Sequence, residues 1–184
     1  MNNPIKIKIN QDTIYKILLV TLLISGFLLR IYKNDAGLPF FSLNDDMESY
    51  AVRIAMTMIN SNDLNPHEFY YPTLSIYIYV IIFKLIQLCS IIGLISFDSY
   101  SLILAARYIS AVFGTLTIFI VYLIGKTLYT RQIGLIAASF LTAAPLAVAQ
   151  SHYGSIDSAV TFFISISFLF SSKLIKSNKL KYYI

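Results

Sequence analysis

The chain has 184 residues, of which 57% are hydrophobic and 12% charged, and its mean hydropathy is +0.70. A soluble domain of this size cannot bury so much apolar surface, so the composition excludes a soluble protein and specifies an integral membrane one. The net charge of +5 gathers at the ends of apolar runs, where it sets topology rather than binding nucleic acid, and the single Cys89 excludes a disulfide framework or a cysteine metal site.

Residues 14–32 form the first stretch close to the roughly 20 residues that a bilayer core requires. Arg30-Ile31-Tyr32-Lys33 stands where a signal peptide would carry small residues for cleavage, so this is an uncleaved span. A polar loop follows, and Asn44-Asp45-Asp46-Met47-Glu48 lies within it. Met47, Tyr50, Ala51, Ile54, Ala55 and Met58 then recur at helical spacing, with Glu48, Ser49, Arg53 and Asn60 on the other face. The pattern predicts an amphipathic helix over 47–60 lying along the membrane surface, ended by the turn chemistry of Asn62-Asp63-Leu64-Asn65-Pro66.

Residues 73–97 are long enough to span, but Lys84 sits at their centre, where a charge costs roughly 2.5–3.5 kcal/mol. Thr73, Tyr77, Lys84 and Gln87 share one helical face, so this segment is expected in the interface or lining a bundle. Residues 108–125, 133–149 and 158–175 complete four predicted spans, and Pro145 should kink the third. Lys6, Lys8 and Lys16, then Lys126 and Arg131, then Lys173, Lys176, Lys179 and Lys181 all fall on one side if 73–97 does not cross. The positive-inside rule places that side in the cytoplasm, which leaves Asp45, Asp46, Glu48, Asp63, Glu68, Asp98 and Asp157 outside. The expected fold class is an all-α integral membrane bundle with surface-lying helices in its first outer loop.

Two acidic spots therefore share the outer face. Asp45, Asp46 and Glu48 read either as first-turn acids complementing a helix dipole, or as a general base or an anion that orients an acceptor hydroxyl or a metal. Asp157, five residues after His152, opens the last span, where Ser155 would cap it. Arg107, at the outer start of the second predicted span, either snorkels to headgroups or holds a phosphate through its bidentate fork. Tyr70, Tyr71, Tyr77 and Tyr79 read as interfacial aromatics, and such rings also stack on sugars. Two histidines and several carboxylates leave a divalent metal cofactor open, although their spacing matches no compact metal motif.

Four pieces in order carry a family resemblance: Asn62-Asp63-Leu64-Asn65-Pro66-His67-Glu68-Phe69-Tyr70-Tyr71-Pro72-Thr73-Leu74 after the acidic pair, then Ala106-Arg107-Tyr108 continuing to Thr117, then Gly125-Lys126-Thr127-Leu128-Tyr129, then Gln150-Ser151-His152-Tyr153 with Asp157. Residues 14–175 in this order resemble the amino-terminal part of the protein O-mannosyltransferases and aminoarabinose-transferase-like glycosyltransferases of the GT-C superfamily. The resemblance implies transfer of a sugar from a polyprenyl-phosphate donor to a protein, lipid or glycan acceptor outside the cytoplasm. It also implies membrane-parallel helices and the catalytic acid in the first outer loop. The family pair is usually Asp-Glu; here it is Asp45-Asp46 with Glu48 two residues on, which leaves open which acid is the base. Asp157 matches the acid of the next outer loop, and His152, Arg107 and Tyr71 are the substrate-binding candidates. No Gly-rich phosphate loop appears, in keeping with a lipid-phosphate donor and direct, inverting attack.

Members of that family are several hundred residues long, so the 184-residue chain reads as an amino-terminal portion, inactive by itself, of an enzyme in a prokaryotic plasma membrane with its site facing outward. The alternative is a non-catalytic polytopic protein, a transporter fragment or assembly partner, in which Lys84 and Arg107 line a path. A third reading is a relative of polyprenol-glycan flippases or oligosaccharyl transferases. Against a transporter, the acids sit in outer loops and avoid span centres, where transport sites usually lie.

Overall fold

A computed structural model describes residues 10–38 and 47–177 of the chain. All regular structure among them is helical: α1 (Gln11–Ile31), α2 (Met47–Ser61), α3 (Leu74–Ile91), α4 (Ser99–Leu128), α5 (Arg131–Ala143), α6 (Pro145–Ser151) and α7 (Asp157–Ser177). Polar side chains set several helix starts by accepting backbone N–H groups: Asn10 from Asp12, Asp98 from Ser101 and Thr130 from Ile133.

Packing around α4 organises the bundle, with α1 and α5 antiparallel to it. At one end, here the lower, Arg131 pairs with Asp12 and the Gln132 amide donates to Tyr15 Oη at 3.1 Å, so the α4–α5 turn meets the start of α1. At the upper end Arg107 reaches the loop after α1, and Ser110 reaches the loop before α7. Phe113 stacks against Phe162 and Phe163, so α7 runs parallel to α4. The order is α1 up, α4 down, α5–α6 up and α7 down. Glycine permits the closest crossing: a Cβ on Gly134 would lie 2.6 Å from the Tyr122 carbonyl oxygen, and one on Gly125 2.6 Å from Gly134 Cα.

The expected kink occurs at Pro145. It opens α6, and the α5–α6 pair bends by 61°. Helices α1, α3, α4 and α7 are each long and apolar enough to cross a bilayer, and the bent α5–α6 pair is a fifth candidate. The chain is a multi-pass membrane protein. Lipid-facing surface accounts for exposed Ile14, Ile17, Leu18, Ile24 and Leu28 on α1.

Two sequence expectations change. The second predicted span, 108–125, is the inner part of a longer helix: α4 begins at Ser99. Arg107 therefore sits two turns inside that helix and is 4% exposed, so it does not snorkel to headgroups; its Nη1 donates to backbone carbonyls instead. Residues 73–97 are not one element either, because α3 ends at Ile91 and Gly93, at φ +74°, turns the chain toward α4.

Helix α2, expected over 47–60, packs on α3. Ala51, Ile54, Ala55 and Met58 bury against Ile76, Tyr79, Val80 and Phe83, and this pair sits on Leu102, Ile103 and Ala106 in the first turns of α4. The other face of α3 is apolar and exposed at Leu74, Ile81, Leu85 and Leu88, and Lys84 is exposed too, not buried against a partner.

The Asp98 cap carries a pH dependence. The Ser101 backbone N–H holds its carboxyl below the usual carboxylate value, with the Ser101 and Ser96 hydroxyls adding to it. A depressed folded value means that the cap contributes above about pH 3.9, the unfolded value, and is lost as pH falls through the folded one. Asp98→Asn should keep the cap but lose that dependence, while Asp98→Ala should cost about 1 kcal/mol at neutral pH. Thermal melts of the protein in detergent at pH 7 and below pH 4 measure both.

Candidate functional site

Each polar feature of the upper end is held by a backbone that the bundle fixes. The link between α6 and α7 carries the most such contacts. Tyr79, buried in α3, donates its hydroxyl to the Gly154 and Ser155 carbonyls at 3.0 and 3.3 Å. Ser110 of α4 donates to Ser155 O at 3.0 Å. These contacts present Asp157 as the first residue of α7, where the helix dipole favours an acid. The Gln150 amide donates to the Asp157 carboxylate and also to Ser155 Oγ at 3.2 Å.

Asp157 does not face α7 alone. It lines a cavity of about 20 Å³ with Tyr50 and Ala51 of α2, Tyr71, Ser155 and Ile156. That is room for about one water molecule. The Tyr71 ring stands edge-on between Tyr50 and Tyr70, with centroids 5.2 and 4.9 Å away. Burial, with the Glu68 carboxylate adding to it, raises the Tyr50 hydroxyl above its usual value, so it stays a neutral phenol. Glu68 is 3.6 Å from Arg53, whose guanidinium lies 5.6 Å from the Tyr50 ring centre. Tyr71 and Asp157, two separate sequence candidates, thus share one small site.

Arg107 holds another loop at the same end. Its Nη1 donates to Asn34 O at 2.8 Å and Ala36 O at 2.9 Å, clamping the loop that runs from α1 toward the acidic run. Asp45 and Asp46 lie outside the described residues, as does the side chain of Glu48. In the sequence Asp45 and Asp46 fall between Ala36, on the loop that Arg107 clamps, and Met47, where α2 begins. His152 has both ring nitrogens against carbonyl oxygens, Nδ1 2.9 Å from Val148 O and Nε2 3.0 Å from Tyr32 O, tying the end of α6 to the cap of α1. Among the described residues no group of three His, Cys, Asp or Glu side chains could hold a metal ion.

Sequence reasoning gave no holding role to Gln150, Ser110 or Tyr79, the last read as an interfacial aromatic but buried here; all three hold the upper end. A polar residue inside an apolar run was the available signal for each, since such residues are costly unless partnered.

Asp157, Tyr50, Tyr71 and the clamped loops thus gather at one end of an all-α, multi-pass bundle. Residues 91–184, just over half of the chain, match the model of the dolichyl-phosphate-mannose-protein mannosyltransferase family, and the chain belongs to that family. The match covers α4 to α7, and with them Arg107, Gln150, His152 and Asp157. No curated protein and no solved structure matches the chain.

Proposed function

We propose that the upper end of this bundle belongs to a site that transfers a sugar from a polyprenyl-phosphate carrier to an acceptor hydroxyl at the outer face of the membrane. Asp46 or Asp45 serves as the base. It takes the acceptor proton while the acceptor oxygen attacks the anomeric carbon and the lipid phosphate leaves with the bonding electrons, inverting the centre. Tyr71 offers an aromatic face to the sugar. Asp157, held by Gln150, orients the acceptor or the sugar hydroxyls. The observation that carries this reading is the cavity shared by Tyr50, Ala51, Tyr71 and Asp157, which joins the helix after the acidic run to the acid of the next loop.

The same reading puts α2 and α3 on the outer surface. The end of α1 and the start of α4 lie at the same end of the bundle, so the chain between them returns to the side it left. A lone crossing by α3 would put the start of α4 at the other end. The packing of α3 on α2 and on the first turns of α4 agrees with this, as does the exposed Lys84, free to snorkel. Cytoplasmic basic residues then place the upper end outside. Single cysteines at Thr130 and Tyr153, both exposed, in a Cys89→Ala background test it. An impermeant thiol reagent on intact cells should modify Tyr153→Cys and spare Thr130→Cys; the reverse pattern would overturn the orientation.

Donor use is tested on the complete gene product in isolated membranes. Labelled polyprenyl-phosphate mannose should pass its sugar to a protein, lipid or glycan acceptor without added nucleotide sugar. Labelling that requires a nucleotide sugar and ignores the lipid donor would refute the proposed donor. No transfer from either would favour the non-catalytic reading.

A further inference from the structure

Arg30 has no role in the site so far. It is the basic residue in the last turn of α1, 1% exposed, with no carboxylate at ion-pair distance among the described residues. A buried guanidinium without a counter-ion needs other partners. It finds them at the bend between α5 and α6. Proline has no N–H, so Pro145 leaves the Leu141 carbonyl without the donor that a continuous helix would supply. Arg30 Nη2 donates to Leu141 O at 3.2 Å. Nη1 lies 3.0 Å from Gly26 O and 3.5 Å from Thr142 O. The guanidinium thus sits at the carbonyl end of α5 and in the last turns of α1, where helix dipoles favour a cation.

What α6 does makes this more than a local repair. The helix has seven residues, too few to be stable through its own hydrogen bonds. Arg30 holds the last turn of α5, immediately before the bend that opens α6, and the end of α6 is held by the contact of His152 with Tyr32 O. Between them Gln150 donates to the Asp157 carboxylate. Gly114 of α4 makes room for the arrangement: a Cβ there would collide with Ser151 Oγ and lie 2.9 Å from Arg30 Nε. Nε itself is buried without a hydrogen-bond partner, beside a cavity of about 90 Å³ that Gly114, Gln150 and Ser151 also line.

We propose that Arg30 is a positioning residue for Asp157: by taking the carbonyl that Pro145 orphans, it fixes the tilt of α6 and so keeps Gln150 on the Asp157 carboxylate. The inference rests on the reading of Asp157 as part of the transfer site. Lysine is a poor replacement for arginine here, because its single nitrogen cannot occupy both Nη positions from which the planar fork serves Gly26 O and Leu141 O.

The test uses the complete gene product, with turnover of labelled polyprenyl-phosphate mannose and thermal unfolding in detergent as readouts. Arg30→Lys should lower kcat about 10²-fold, the effect of a displacement near 1 Å, with KM for the donor unchanged. Gln150→Leu should give the same loss, and the double variant should fall no further, because both act through one contact. Arg30→Lys should also lower the unfolding midpoint. Adding Pro145→Ala returns an N–H to Leu141 O, so it should restore the midpoint but not the turnover, since the bend is lost. Multiplying losses in Arg30→Lys with Gln150→Leu would overturn the proposal, as would destabilisation that Pro145→Ala leaves unchanged. Full turnover in Asp157→Asn would instead sink the reading of the site. An inactive Asp157→Asn beside a fully active Arg30→Lys would sink the positioning role alone.

Discussion

Replacing the base should stop the reaction while leaving the protein intact. Asp46→Asn, or Asp45→Asn if that residue is the base, is expected to lower turnover by roughly 10²–10⁴-fold, the usual worth of a positioned general base. Asparagine keeps the size of the side chain and part of its hydrogen bonding but has no basic carboxylate. Donor binding should persist, because the lipid phosphate does not depend on that proton transfer. Assaying Asp45→Asn, Asp46→Asn and Glu48→Gln side by side with labelled lipid donor separates the three acids. A single variant with lost turnover and wild-type donor affinity identifies the base. Wild-type turnover in all three would make these residues first-turn acids that only complement the dipole of α2.

Arg107→Ala should be the most damaging change within the described part of the upper end. The side chain is buried and donates to the Asn34 and Ala36 carbonyls. Asn34 is itself 3% exposed, so water cannot simply take over its carbonyl. Leaving a buried acceptor unsatisfied costs about 1–3 kcal/mol, and losing a buried, partnered charge commonly costs more. The loop so released leads into the acidic run and α2, so turnover and thermal stability are expected to fall together. This outcome differs from that of an arginine that grips the donor phosphate, which would raise KM with little change in stability. Measuring unfolding in detergent beside KM and kcat decides between them. Weakened donor binding with an unchanged midpoint would assign Arg107 to the phosphate; a lower midpoint with unchanged KM would assign it to the loop.

How far the sequence reached depended on the range of the interactions involved. Apolar runs near the length of a bilayer core marked α1 and α7, because hydrophobic thickness is read residue by residue along the chain. Periodicity over Met47 to Met58 marked α2, and the fixed ring of Pro145 marked the bend in the third span, both local effects. The bounds of α4 were less legible. Polar Ser99, Ser101 and Arg107 lower the hydropathy of its first turns, yet these are helical because Asp98 caps them and α2, α3 and the α1 loop cover their Leu102, Ile103, Ala106 and Arg107.

The site followed the same division. Asp157, Tyr71, Arg107 and His152 stood out as polar or aromatic groups at the edges of apolar runs, and local composition is enough to find such groups. Their partners were not legible. Nothing in the chain order says that Arg107 holds carbonyls some seventy residues earlier, that Tyr79 supports the Gly154–Ser155 backbone, or that Tyr50 and Asp157 line one cavity. The sequence by itself determined a membrane protein, its apolar helices, its bend and the acids at its loops, since transfer free energy and backbone sterics act locally. Only the tertiary structure decided what each buried polar group satisfies, because a guanidinium such as Arg30 or Arg107 finds its carbonyls on segments that meet only after the bundle has packed.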